Sequence, residues 1–114
     1  MDRLVHWEIP STDLKNAAEF YTKLFGWKMQ GWSDDYMLFD AEEGVGGALM
    51  KVDKMPEPGI RVYIGVDDVA AALKKAEGLG ARTGQPKTDI GGGMGFAGSF
   101  HDPWGCLIGL WSKT

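Results

Sequence analysis

Two pairs of residues in this chain have the types and spacing that chemistry needs. His6 and Glu8, in LVHWEIP, lie two apart, so on a strand they share one face while Val5, Trp7 and Ile9 share the other. An imidazole beside a carboxylate can act as acid and base, contact a ligand, or simply be hydrogen-bonded within the fold. Arg61 and Tyr63, in IRVYIGV, repeat the spacing with a permanent cation and a phenolic hydroxyl. Glu8 and Arg61 either form a pair that receives a polar ligand group or form a solvated pair worth little. Trp111 shares a strand face with Gly109 and is read as lining the cleft, while Trp32, Met50, Met94 and Phe96 are candidates for an aromatic and methionine wall, with core or dimer packing as the favoured competing use. The candidate ligand-binding set is therefore His6, Glu8, Trp32, Arg61, Tyr63, Met94, Phe96 and Trp111, with His6 and Glu8 as the catalytic candidates.

Other reactive residues carry less. His101 borders the Asp102-Pro103-Trp104-Gly105 turn and reads as a surface residue. Cys106 follows the same turn, with no histidine beside it in sequence to activate a thiolate. GGGMG at 91–95 lacks the following helix that a phosphate cradle requires.

The elements that must position these residues come in a repeated order. Leu4–Ile9 reads as a strand ended by Pro10, and Thr12 or Asp13 caps a helix that runs to about Phe25. Leu14, Ala17, Ala18, Tyr21 and Leu24 give that helix an apolar stripe, which covers the Val5/Trp7/Ile9 face, and Gly26 stops it. Strands follow at 27–32, 36–40 and 46–52, with a turn at 41–44, and then the linker KMPEPG at 54–59. The second half starts over: a strand at 60–66, a cap at Asp67 or Asp68, and a helix striped by Val69, Ala72, Leu73, Ala76 and Leu79. Strands at 81–88, 94–100 and 106–112 complete it, with Pro86 marking an edge or an end. A shift of 55 lays Leu14 on Val69, His6 on Arg61 and Glu8 on Tyr63; near the ends a shift of 62 lays Asp40 on Asp102 and Gly47 on Gly109. The fold class read from this is α+β, two βαβββ modules forming a curved mixed sheet around a cleft. Module one spans about 1–53 and module two about 60–114 of a single domain.

The bulk numbers exclude several classes. The chain has 114 residues, 44% hydrophobic, with a net charge of −4, so one modest core is expected and no basic surface for nucleic acid. No run of eighteen or more apolar residues suggests a membrane span, and Asp2 and Arg3 do not open a signal peptide. One cysteine excludes an internal disulfide, so a reducing, cytoplasmic setting is the expectation.

The paired modules, the opening LVHWEIPSTDLKNAAEFYTKLFGW, the segment PKTDIGGGMGFAGSF and the ending DPWGCLIGLW together resemble the vicinal oxygen chelate superfamily. This is the group of glyoxalases, bleomycin-resistance proteins and extradiol dioxygenases. The resemblance implies a concave cleft and, in metal-dependent members, one His or Glu ligand near the start or end of each half. His6 matches the first such position, Arg61 the second-module equivalent, Gly109 the last-strand position, and Gly47 or a neighbour its first-module counterpart. Only His6 is a ligand type. A metal-free protein that binds a small organic molecule is therefore expected, with no cofactor, a divalent metal disfavoured, and a homodimer as the working assembly. The alternative is a lyase, isomerase or dioxygenase-like enzyme that uses His6 and Glu8.

Overall fold

The computed structural model describes residues 2–41, 44–55 and 59–114, so parts of the turn at 41–44 and of the linker at 54–59 lie outside the described residues. Contacts group the chain into two units: His6–Arg61, and Val62–Thr114 together with Met1–Val5. The architecture is α+β, and each unit is built from one helix and a small sheet. Among the described residues, no helix is long and apolar enough to cross a membrane.

The first unit holds β1 (Arg3–Ser11, whose first residues belong with the second unit), α1 (Leu14–Phe25), β2 (Lys28–Ser33), β3 (Tyr36–Asp40) and β4 (Gly47–Lys51). Its strand order is β2-β3-β4-β1, with β1 parallel to β4 and the other pairs antiparallel. Asp13 caps α1 by accepting from the Asn16 amide at 3.1 Å, and Gly26, at φ 73°, closes it with an amide bond to the Thr22 carbonyl. The helix covers the face that carries Trp7 and Ile9, as the alternation predicts. Ile9, Phe39 and Leu49 are buried there, with Leu14, Ala17, Ala18 and Tyr21 laid over them. Aromatic rings fill much of this core: Trp27 stacks on Phe39 at 4.4 Å between centroids, and Trp7 meets Phe39 edge-on at 5.5 Å. Two of the five tryptophans are thus spent on packing rather than on a ligand wall.

Pro10 does not end β1. It pairs in register with Met50, and the strand continues through Ser11. The Ser11 carbonyl accepts from the Val52 amide beyond β4, so the neighbouring Pro10 nitrogen points away from β4 and costs that ladder no hydrogen bond.

The second unit holds β5 (Arg61–Gly65, with Arg61 grouped in the first unit), α2 (Val69–Gly78), β6 (Arg82–Thr83), β7 (Thr88–Asp89), β8 (Phe96–His101) and β9 (Leu107–Ser112). The order is β5-β9-β8-β6, with β7 also paired to β8. The single strand read over 81–88 is therefore broken in two, at Gly84 to Lys87 around Pro86. Asp68 caps α2. Lys87 donates to the Asp68 carboxylate at 2.7 Å, and this hydrogen bond is the main reason its acidity is raised above the ordinary range. Val69, Leu73 and Leu110 form the core, flanked by Ile64 and Phe100. Gly98 makes room for the helix: a β-carbon there would stand 2.7 Å from Val69 Cγ1. Asp102 and Gly105 close the expected turn with a 2.9 Å amide bond, and Gly105 has φ 94°.

The registers correct one detail of the internal repeat. Glu8 stands opposite Ala48, and Tyr63 stands opposite Gly109. Because Glu8 and Tyr63 are equivalent under the shift of 55, Ala48 rather than Gly47 is the counterpart of Gly109. A shift of 61 then also lays the core residues Phe39 on Phe100 and Leu49 on Leu110. The shift of 62 matched identical residues but moved every side chain to the wrong face.

Candidate functional site

In the first unit, the sheet face opposite α1 carries His6 and Glu8, and Tyr36 from β3 joins them. The Tyr36 hydroxyl donates to Glu8 Oε2 at 2.7 Å and lies 2.8 Å from His6 Nε2. His6 Nε2 and Glu8 Oε2 are 3.9 Å apart, so the hydroxyl bridges a gap too wide for a direct hydrogen bond. The His6 and Tyr36 rings lie nearly parallel, with centroids 6.4 Å apart. Glu8 is buried, with its side chain only 8% exposed, whereas the His6 side chain is 27% exposed and is the accessible end of the chain. Burial holds the His6 imidazole below its ordinary proton affinity, and the nearby Glu8 charge opposes that.

Tyr36 was not among the sequence candidates. The alternation Tyr36, Leu38, Asp40 against Met37 and Phe39 does put it on the right face. Its nearness to Glu8 depends on the intervening register, in which β4 lies between β3 and β1, and sequence does not give that. The cross-strand neighbours on this face include the apolar Leu38, Ala48 and Met50.

The remaining candidates are placed as follows. Trp32 sits at a register shift in β2 and is 48% exposed. Arg61 opens β5 and is partly buried. Tyr63 lies across Gly109: a β-carbon there would be 2.6 Å from its Cδ2. Trp111 donates its indole N–H to the Met94 carbonyl at 2.8 Å, which brings those two together. Phe96 does not join them. It pairs with Ser112 and alternates with Ala97, the partner of Trp111, so it stands on the α2 face, with Lys87 Nζ 4.7 Å above its ring. His101 is not a plain surface residue either. It is partly buried, and its Nδ1 is enclosed with no hydrogen-bond partner among the described residues. Cys106 is exposed.

The model of the Glyoxalase/Bleomycin resistance protein/Dioxygenase superfamily matches residues 3–110. The chain belongs to this superfamily. A glyoxylase-like domain-containing protein of Didymella fabae is 31% identical, over 86% of this chain and 84% of its own length. The putative glyoxylase CFP32 of Mycobacterium bovis is 34% identical over 94% of this chain, which spans only 44% of that protein. Among solved structures, the methylmalonyl-CoA epimerase of Mycobacterium tuberculosis aligns with a TM-score of 0.75 at 20% identity, covering 98% of this chain and 88% of that one. At that identity the likeness speaks for the fold alone.

Some members of the superfamily hold a divalent metal, so the donor set here matters. Ala48 and Gly109 occupy the matched last-strand positions, and neither is a ligand. His6 and Glu8 are tied to each other through a phenol. Among the described residues, no three His, Cys, Asp or Glu side chains converge. A catalytic zinc-type site uses about three protein ligands, and this donor set falls short of that.

Proposed function

We propose that this superfamily member binds a small organic molecule on the first-unit face that carries His6, Tyr36 and Glu8, and that it does so without a resident divalent metal. The observation that carries this reading is the hydrogen-bonded chain itself. It commits the two best ligand candidates to a polar anchor with apolar Leu38 and Met50 nearby, which is the mixture that small-molecule sites use. The test is a tryptophan-fluorescence titration against a panel of aromatic compounds, backed by native mass spectrometry for a co-purified ligand. At least one saturable quench is expected, weakened in His6→Ala. A panel without any saturable binder would overturn the proposal.

A second reading is an enzyme of the lyase, isomerase or dioxygenase-like kind, with His6 and Glu8 in acid and base roles. It is favoured by the hydroxyl that links them, since such a chain can pass a proton in either direction. The names of the relatives, putative glyoxylase among them, agree with it without fixing a substrate. The protein is further proposed to be a cytoplasmic homodimer.

A further inference from the structure

The second unit carries polar side chains that its own fold leaves unused. The sheet face opposite α2 holds Ala97, Ser99 and His101 along β8, because Gly98 and Phe100 between them turn toward the helix. Arg82 of β6 stands directly across from His101, so its side chain leaves the sheet on the same face. At Gly84, just beyond, a β-carbon would lie 2.8 Å from Ser99 Oγ and 3.5 Å from His101 Cε1. The absent side chain leaves a niche that the serine hydroxyl and the imidazole both border.

Each of the three polar side chains has a hydrogen to give. Ser99 is 9% exposed, and its Oγ accepts from the Gln85 amide at 3.0 Å. Its hydroxyl hydrogen has no acceptor among the described residues. His101 Nδ1 is enclosed and has no partner among them either. An orphaned N–H is rarer in proteins than an under-satisfied acceptor, so the neutral ring keeps its proton on Nε2. Nε2 is not enclosed and makes no hydrogen bond among the described residues, so that N–H faces outward. Arg82 is exposed, has no ion pair among the described residues, and can only donate. The acid next to His101 in sequence, Asp102, holds the amides of Trp104 and Cys106 with its Oδ1.

We infer that Arg82, Ser99 and His101 form an anchor for the carboxylate of a small molecule, carried by the second unit and independent of the His6 chain. One fixed cation beside two neutral donors suits a monoanion, and the guanidinium fork matches the two oxygens of a carboxylate. Trp111 lies on the same face, across from Ala97, and offers π surface to an aryl group. The enclosed Nδ1 destabilises the fold, which a phenylalanine ring in its place would not. The use of His101 lies in its outer N–H.

Two measurements test it. Calorimetry compares 2-naphthoate with its methyl ester, which keeps the ring and loses the charge. The naphthoate is expected to bind about tenfold more tightly or better, the range of a charge-assisted hydrogen bond. That ratio should shrink toward one in Arg82→Gln and in His101→Phe. It should persist in Lys74→Gln, which removes the same charge from an exposed position on α2, and in His6→Ala. Equal binding of acid and ester in the parent, no binding of either, or a ratio that survives Arg82→Gln would overturn the inference. A ratio lost in Lys74→Gln would make the effect one of net charge, and a ratio lost in His6→Ala would move it to the first unit; either result sinks the anchor. Tighter binding of 2-naphthyl phosphate than of naphthoate would overturn the carboxylate class.

The second measurement separates recognition from structure at His101. His101→Phe is expected to melt no lower than the parent while it loses the preference for the acid. A clearly lower melting temperature would mark a merely structural histidine and overturn its role. If that variant does not fold, the long-range proton–nitrogen correlation spectrum of the parent decides, because it separates histidine tautomers. With only His6 and His101 in the chain, His6→Gln assigns the signals. An Nε2–H form of His101 is expected, and an Nδ1–H form would overturn the inference.

Discussion

Gly109 offers the sharpest stability test, because its empty place is filled by a neighbour. A β-carbon on Gly109 would lie 2.6, 2.7 and 2.9 Å from Tyr63 Cδ2, Cε2 and Cγ, where ordinary contact begins at about 3.4 Å. Tyr63 and Gly109 are register partners in the parallel β5–β9 pair, and the adjoining Leu110 is only 3% exposed, so the backbones have little freedom to part. Relief in Gly109→Ala must come from the Tyr63 ring leaving its rotamer. Overpacking of this kind costs about 1–3 kcal/mol. Alanine recovers roughly 0.5–1 kcal/mol over glycine within a strand, which leaves a net loss of roughly 1–2 kcal/mol. For a chain of this size that lowers the melting temperature by about 4 °C or more per kcal/mol. In a Tyr63→Ala background the clash is gone, and the same substitution should be neutral or slightly stabilising, a coupling of about 1–3 kcal/mol. Urea denaturation of the four proteins measures it. Gly78→Ala is the control, because no neighbour lies within 4 Å of its added carbon. A parent-like Gly109→Ala, or an equal loss in both backgrounds, would refute the reasoning.

Tyr36→Phe should cost about 1–3 kcal/mol in denaturant, since it leaves buried Glu8 without the hydroxyl that donates to it. Burial depresses the His6 proton affinity, so below about pH 6.5 the unfolded chain takes up a proton that the folded one resists. Stability from this group should therefore hold above that pH and fall as pH drops through the folded value; His6→Gln should flatten the slope between pH 7.5 and 5.5. Elemental analysis after dialysis should find no stoichiometric divalent metal, and a one-to-one zinc site tighter than about micromolar by calorimetry would revive metal chemistry. Sedimentation at micromolar concentration should show a dimer; monomer alone would remove that proposal.

The helices and their caps were legible because they are local. Asp13 and Gly26 announce the ends of α1 within a few residues of chain, and the stripe from Leu14 to Tyr21 announces its buried side. The repeat was legible for the same reason, since the stripe of α2 reproduces that of α1 in spacing and order. Identity misled at the far end of each module, where Gly47 and Gly109 match by type but not by face. What decides the match is which residue stands opposite Glu8 and which stands opposite Tyr63, and those are pairings across some 40 positions of chain. Pro10 misled in a related way. A proline breaks a ladder only when its nitrogen points into it, and the register alone says where it points.

The site was half legible for a reason that bears on its chemistry. His6 and Glu8 declare a shared face by their spacing, and that much follows from the geometry of a strand. Their meaning depends on a third residue 28 positions beyond Glu8, carried by a strand that reaches β1 only through β4. Without Tyr36, the pair reads as two metal ligands in search of others, or as an acid and a base with nothing to set which is which. With it, the hydroxyl that donates to the carboxylate also contacts the imidazole, so the two residues belong to one hydrogen-bonded chain. At Gly109 the Tyr63 ring lies over the position, and any side chain there would have to displace that ring. The superfamily's fold is kept, with His6 held in a hydrogen-bonded chain and Gly109 lying under a tyrosine ring.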